Sequence, residues 1–404
     1  MKLLGVILSI FVISFLGLEA KASVWPIQGH WNEGIETKYQ DWVRKNVAMD
    51  IFTNPQSPYY GISTDCADMI YALRVIFSYE NSLPFLVIDS SQTTSSKTVY
   101  LSQDTSKFDS YAKGLKRVVA FINYISGVNG TQSLAKYDTY PVALKSLRSG
   151  DVYIAEWTGQ EGYDLYHSYV IREVSPFGYF ELFYSSTPSK VRKLIELSGM
   201  PAMLFTGEAW GFRRFKWPQH YKTANKPAAL SRDQYSFLKT EGELFFESLQ
   251  KLLQIEPEPV DSIFKRRISN ICSQLLARVE NVENAINYVN TLGGQCIAKK
   301  EFNLYSTVLR DKSVHNLTLE LTKIWKKYVY EGGYHDSSYS VQLALDYLSG
   351  MDNSDDARSQ LARYCSVDIR RFYEDYQQGK ISSHPNSTFE ARWGRDIPTT
   401  CPSF

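Results

Sequence analysis

The chain is poor in cysteine and histidine, and its charges nearly cancel. Five cysteines and six histidines occur in 404 residues, and 44 Lys and Arg stand against 43 Asp and Glu. Balanced charge without a basic block argues against nucleic acid as the main partner, because phosphate binding needs a concentrated positive face. The histidines and cysteines also lack zinc-site spacing, so the sequence predicts no metal and no cofactor.

Long apolar runs are absent after the first residues. The run from Leu3 to Leu18 follows one lysine and precedes Ala20-Lys21-Ala22, a pattern typical of a secretory signal peptide over residues 1–22. An uncleaved membrane anchor is the alternative, since the run is close to the shortest length that spans a bilayer. We therefore expect a periplasmic or secreted bacterial protein with no membrane span after removal of the signal.

The cysteines are unevenly distributed. Cys66 stands alone, whereas Cys272, Cys296, Cys365 and Cys401 lie in the last third of the chain. In an oxidising compartment these four are expected to form disulfides. Three connectivities are possible, and proximity in sequence favours Cys272 with Cys296 and Cys365 with Cys401. A lone thiol in an exported protein is then either used in chemistry or buried and inert.

The chain divides near residue 226. Residues 23–226 mix short strand-like runs with a few helices, and the polar segment KTANKPAALSRDQ interrupts the pattern there. Residues 227–404 are strongly helical, and apolar spacing predicts helices over 233–255, 260–289, 317–330, 340–348 and 357–377. We predict an α+β unit followed by an all-α unit stapled by disulfides.

Cys66 falls at the start of a predicted amphipathic helix over residues 65–79, which Thr64 or Asp65 can cap. The helix dipole and the free backbone amides would lower the pKa of a cysteine at this position and could hold an oxyanion. The position of Cys66 at the start of a helix therefore fits a catalytic nucleophile.

The residues around Cys66 suggest a substrate cleft. Tyr59, Tyr60 and Asp65 would line it, and the Tyr60 hydroxyl could assist the oxyanion. The alternative is that the two tyrosines form an aromatic plug beneath the helix.

His167 is the candidate base. It lies on a predicted strand over residues 166–174, where it shares one face with Tyr169 and Ile171. Three further strands are predicted at 151–157, 179–184 and 211–216. A lone histidine on a strand is more often structural, but a histidine on a strand next to a helix-terminal cysteine can act as its base.

The third catalytic residue is the least defined. Glu181 ranks first because its charge suits the histidine N–H, and Ser185 is the second candidate. Glu181 is equally well read as an exposed strand residue. A water or a backbone carbonyl could orient His167 instead.

These residues resemble the NlpC-like papain-fold cysteine peptidases. The matching pieces are Asp65-Cys66-Ala67-Asp68, Ser149-Gly150-Asp151 and His167-Ser168-Tyr169-Val170-Ile171. The chain is also similar to transglutaminase-like proteins through Cys66-Ala67-Asp68, Leu83-Pro84-Phe85 and the segment from His167 to Val170. The resemblance covers residues 59–188. The sequence departs from the family pattern at Asp68, where glycine is typical. The stretch from Cys66 to Gly150 is also longer than usual, which indicates an inserted hairpin or lid near 90–107.

The resemblance implies a papain-like core, with the nucleophile helix packed on an antiparallel sheet. It also implies an exported cysteine amidase or peptidase that cuts peptidoglycan stem peptides or other peptides through a Cys66 thioacyl intermediate. Two alternatives use the same fold. One is a catalytically inactive binding module, and the other is a transglutaminase-like acyl transferase on the same Cys–His pair.

Overall fold

The structure, a computed structural model, describes residues 23–158, 164–201, 203–221 and 227–403. Within these residues the chain forms a six-stranded antiparallel sheet, a two-stranded ribbon and helices that cover the large sheet. The protein is therefore α+β, as the sequence predicts. The predicted signal peptide lies outside the described residues. No helix in the described ranges is long and apolar enough to cross a membrane.

Most helices lie after the sheet in the chain. The helices are α1 (Glu33–Asn46), α2 (Cys66–Glu80), α3 (Leu115–Val128), α4 (Thr131–Ser133), α5 (Asp233–Glu241), α6 (Phe245–Leu253), α7 (Val260–Thr291), α8 (Lys299–Tyr305), α9 (Val308–Tyr330), α10 (Tyr339–Ser349), α11 (Asp355–Tyr364), α12 (Ile369–Gln377) and α13 (Phe389–Arg392).

The strands are β1 (Leu86–Ile88), β2 (Tyr100–Ser102), β3 (Thr139–Pro141), β4 (Val152–Thr158), β5 (Asp164–Val174), β6 (Phe180–Tyr184), β7 (Ile195–Gly199) and β8 (Gly211–Phe215). The large sheet has the order β3-β8-β4-β5-β6-β7, and β1 pairs with β2. The strand β2 falls in the segment where the sequence suggested an inserted hairpin.

The register of β5 fixes the direction of its side chains. Ile154 of β4 lies opposite Ser168, and Ala155 lies opposite His167, in a pairing without a bulge from 152/170 to 158/164. Successive side chains on a strand point to opposite faces of the sheet. One face, called the α2 face, carries Ile154, Ser168 and Val170. The other, called the α6 face, carries Tyr153, His167 and Tyr169.

Aromatic contacts identify what covers each face. Phe215, which shares the α2 face, meets Tyr71 of α2 with ring centroids 6.0 Å apart. Tyr153 meets Phe246 of α6 at 5.9 Å. Both faces of the sheet are therefore buried, which explains why its central strands read as nearly continuous apolar runs.

Two main apolar cores follow one another along the chain. The first surrounds the sheet and includes Phe245 and Leu249 of α6. The second lies among the later helices, around Phe264 and Trp325. Helices α5 and α6 follow the predicted boundary near residue 226 but pack on the first core.

The four late cysteines pair as Cys272–Cys365 and Cys296–Cys401, and Cys66 is free. The predicted division into four paired cysteines and one free thiol is confirmed, but the pairing favoured by proximity is wrong. Helix α7 continues to Thr291, so about 28 Å of rigid helix follow Cys272 at about 1.5 Å per residue. Cys296 is thereby carried away from Cys272, which instead meets Cys365 at the end of α11.

Candidate active site

Cys66 is the first residue of α2, as the sequence predicts. The Asp65 carboxylate accepts hydrogen bonds from the backbone N–H groups of Ala67 and Asp68, both at 3.0 Å. The Asp68 carboxylate in turn accepts from the backbone N–H of Asp65 at 3.1 Å. This reciprocal capping box fixes where the helix begins.

The capping box occupies two of the backbone amides that could otherwise bind an oxyanion. Two amides of the first turn already donate to the Asp65 carboxylate, which places a negative charge at this end of the helix. Asp65 is therefore a helix cap, and its charge opposes the approach of a second anion.

Hydroxyl groups surround the Cys66 thiol. Sγ lies 3.3 Å from Thr131 Oγ1. The Ser168 hydroxyl also lies beside Sγ and favours its ionised form, although Ser168 Oγ makes no hydrogen bond of standard geometry with any described group. Cys66 is 5% exposed, and Ser168 is fully buried.

The thiol is protonated at neutral pH. Burial, followed by the charge of Asp65, raises the pKa of Cys66 to about 11, and the Thr131 and Ser168 hydroxyls only partly offset this. The expected depression of the pKa by the helix N-terminus is thus outweighed by desolvation. Only a thiolate is an effective nucleophile, so this thiol is not activated.

His167 lies in an aromatic group on the α6 face. Its ring meets Tyr169 at 4.5 Å and Tyr184 at 5.0 Å between centroids, both edge to face. Burial, followed by the positive charge of Arg310, lowers the pKa of His167 to about 3. The imidazole is therefore neutral at physiological pH.

The structure does not bring Cys66 and His167 together. Ser168, the neighbour of the thiol, and His167 are consecutive residues of an unbroken strand and leave it in opposite directions. The predicted Cys66–His167 pair is corrected accordingly. Sequence reasoning placed His167, Tyr169 and Ile171 on one face, and that face is the one turned away from α2.

Glu181 and Ser185 do not orient the His167 ring. Phe183 pairs with Val170 on the α2 face, so Glu181, two residues away on β6, shares that face. Its carboxylate accepts from Arg172 at 3.0 Å, and burial, followed by the charge of Glu196, raises its pKa.

Ser185 is a structural link between the sheet and the start of α2. Its hydroxyl donates to the carbonyl oxygen of Thr64 at 3.0 Å and accepts from the Thr64 hydroxyl at 3.1 Å. The residue is fully buried. These bonds help to hold α2 against the sheet.

Tyr59 does not line the thiol. The buried Tyr59 donates its hydroxyl hydrogen bond to Glu80 at the last turn of α2, about 20 Å along the helix from Cys66 at about 1.5 Å per residue. This position fits the aromatic-plug alternative for Tyr59 but not for Tyr60. Tyr60 is 58% exposed.

Sequence reasoning missed the groups that surround the two candidate residues. Thr131 contacts the thiol from the short helix α4, and no motif marks it. On the other face, Gln274 of α7 donates to the Tyr184 hydroxyl at 3.2 Å and accepts from Arg310 at 3.0 Å. Only Ser168 could have been found, because strand alternation places it opposite to His167.

The chain matches no protein-family model, no curated protein and no solved structure. Among the residues that the structure describes, no group of three or more His, Cys, Asp or Glu side chains is placed to hold a metal ion.

Proposed function

We propose that this chain is an exported, non-catalytic binding protein, with a papain-like first unit that has kept the nucleophile helix but lacks the base. The observation that carries the proposal is the alternation of His167 and Ser168 on β5. Cys66 at the start of a helix packed on an antiparallel sheet supports the papain-like assignment.

Hydrolysis and acyl transfer both need a proton acceptor within hydrogen-bond reach of the nucleophile, about 2.6–3.2 Å. The groups that hydrogen-bond to Sγ are the hydroxyls of Thr131 and Ser168 and the backbone N–H of Ala67, none of which takes a proton from a thiol at neutral pH. We therefore infer that Cys66 has no general base for either hydrolysis or acyl transfer.

Two disulfides support the exported setting, because such bonds persist in oxidising compartments. In that setting, and given the resemblance to enzymes that act on cell-wall peptides, the ligand class is peptidoglycan or another extracellular peptide.

The test compares binding with turnover on the same material. Purified full chain and a Cys66→Ala variant are incubated with peptidoglycan sacculi, then bound protein and released muropeptides are measured. We expect both proteins to be retained equally and neither to release muropeptides above buffer. Release by the wild type that is lost in Cys66→Ala would establish catalysis, and absence of retention would remove the binding function.

A Cys66→Ser variant controls for the small cavity left by alanine, since it keeps most of the side-chain volume. Equal thermal unfolding of the three proteins confirms that the comparison concerns the thiol and not folding.

A further inference from the structure

A polar groove lies between the last turns of α1 and α2, at the end of α2 remote from Cys66. Its volume is about 380 Å³, within the range of about 300–1,000 Å³ that small-molecule sites occupy. Trp42 supplies apolar surface above the buried Phe77, and Lys38, Asp41 and Asn46 supply polar groups around it.

The indole of Trp42 is held rigidly in this groove. Tyr39 stacks on it at 6.3 Å, and Phe77 meets it edge to face at 5.8 Å. Both supporting rings are buried, whereas Trp42 itself is only partly buried. A fixed, partly exposed ring gives a flat apolar surface that needs little ordering when a ligand packs on it.

Three of the polar groups beside Trp42 are free to meet a ligand. Within the described residues, the indole N–H of Trp42, the ammonium of Lys38 and the amide of Asn46 make no hydrogen bond or ion pair. The half-exposed Asp41 carboxylate already pairs with Arg44 at 2.8 Å and with Lys45 at 3.8 Å, but a carboxylate can accept further hydrogen bonds. Donors and acceptors therefore both surround the ring.

The charges of the groove balance. Lys38 and Lys45 stand against Asp41 and Glu80, which favours a neutral ligand with many hydrogen-bonding groups over an ion. In a second groove of about 330 Å³, Arg266 binds Glu258 at 2.6 Å and lies 4.3 Å from the centroid of the Tyr179 ring, so this ring already has a partner.

The geometry points to a saccharide-binding groove, in which the C–H face of a pyranose ring packs on Trp42. The sugar hydroxyls exchange hydrogen bonds with Lys38, Asn46 and the Asp41 carboxylate. This inference rests on the proposed function and sharpens it, because the glycan strand is then the part of the cell wall that the protein binds.

The experiment is calorimetric titration of the full chain with chitotetraose and with cellotetraose, beside a soluble stem pentapeptide. We expect at least one oligosaccharide to bind. Trp42→Ala should weaken its affinity at least tenfold, and Lys38→Ala and Asn46→Ala should weaken it two- to fivefold. Tyr330→Ala is the matched control, since this aromatic side chain is 92% exposed on α9 and should leave the affinity unchanged.

Absence of binding by both oligosaccharides would overturn the inference, as would a folded Trp42→Ala variant that binds like the wild type. If Trp42→Ala does not fold, Lys38→Ala and Asn46→Ala test the inference instead. Wild-type affinity in both of these variants would overturn it. Retention on sacculi without oligosaccharide binding contradicts this inference alone. Cys66-dependent muropeptide release contradicts the proposed function alone.

Discussion

The two faces of β5 differ in chemistry although both are buried. On the α2 face, Ser168 joins Thr131 around the Cys66 thiol, and the surroundings are hydroxyls. On the α6 face, His167 joins Tyr169 and Tyr184 in an aromatic group. Desolvation keeps the thiol protonated on one face and the imidazole neutral on the other.

This difference shows that residues in the correct order along the chain need not be correctly arranged in space. A cysteine at a helix start and a histidine on a later strand occur in the order that a cysteine hydrolase needs. Catalysis also requires both side chains on one side of the sheet, and a shift of a single residue reverses the side. In this chain Ser168 occupies the position from which a base would face the thiol.

The largest expected effect comes from moving an imidazole to the thiol face. In Ser168→His, the ring would lie beside Cys66 and stabilise its thiolate. We expect the rate of Cys66 alkylation by iodoacetamide at pH 6.5 to rise about 100-fold, the scale of a positioned base. Ser168 is fully buried, so the larger ring also costs about 1–3 kcal/mol of stability through overpacking.

Ser168→Asn is the matched control, because it adds bulk without a base. His167→Ala should leave the alkylation rate unchanged in both the wild type and Ser168→His. Equal rates in Ser168→His and Ser168→Asn would contradict the assignment of faces.

The two faces are also expected to respond oppositely to acid. On the α2 side, burial raises the pKa of Asp138 from 3.8 to about 6, so its contribution to stability is fully present below pH 3.8 and is lost as pH rises through 6. The pKa of His167 is lowered from 6.5 to about 3, so its contribution is present above pH 6.5 and is lost as pH falls towards 3.

Urea unfolding at pH 7 and pH 5 measures this contrast. Acidification should favour the fold through Asp138 by about 1 kcal/mol and oppose it through His167 by about 2 kcal/mol. Relative to the wild type, the change in unfolding free energy from pH 7 to pH 5 should therefore shift towards stabilisation in His167→Phe and towards destabilisation in Asp138→Asn. A shift from the wild type in the same direction in both variants would refute the contrast.

The smallest expected effect concerns the hydroxyl that touches the thiol. Thr131→Val removes a group that favours the thiolate, so alkylation of Cys66 at pH 9 should slow about two- to fivefold, the range of a weak hydrogen bond of about 0.5–1 kcal/mol. Tyr184→Phe, on the other face, is the control and should not alter the rate. A slower reaction in Tyr184→Phe would show that the α6 face influences the thiol.

Local patterns in the sequence predicted much of the fold. The helix from 65 to 79 is α2 with its Asp65 cap, and the strand from 166 to 174 is most of β5. The helix predicted over 357–377 is instead two, since α11 ends at Tyr364 before the disulfide-bonded Cys365. Helix α1 and strand β7 were not predicted.

The sequence could not predict which face of the sheet lies under α2. Both Val152 and Tyr153 are buried, so the strands lack the apolar–polar alternation that would mark the face under α2. The disulfide pairing also depends on how α7 and α11 pack, which is a long-range property of the fold. Local periodicity in the sequence indicates neither the face under α2 nor the disulfide pairing.

The most direct test of the account is the pH dependence of Cys66 alkylation in the native protein, where it is the free cysteine. We expect the rate to rise about tenfold per pH unit through pH 9, as for an unactivated thiol, and His167→Ala to follow the same profile. A rate that is high and constant between about pH 5 and 7, and that falls in His167→Ala, would contradict it.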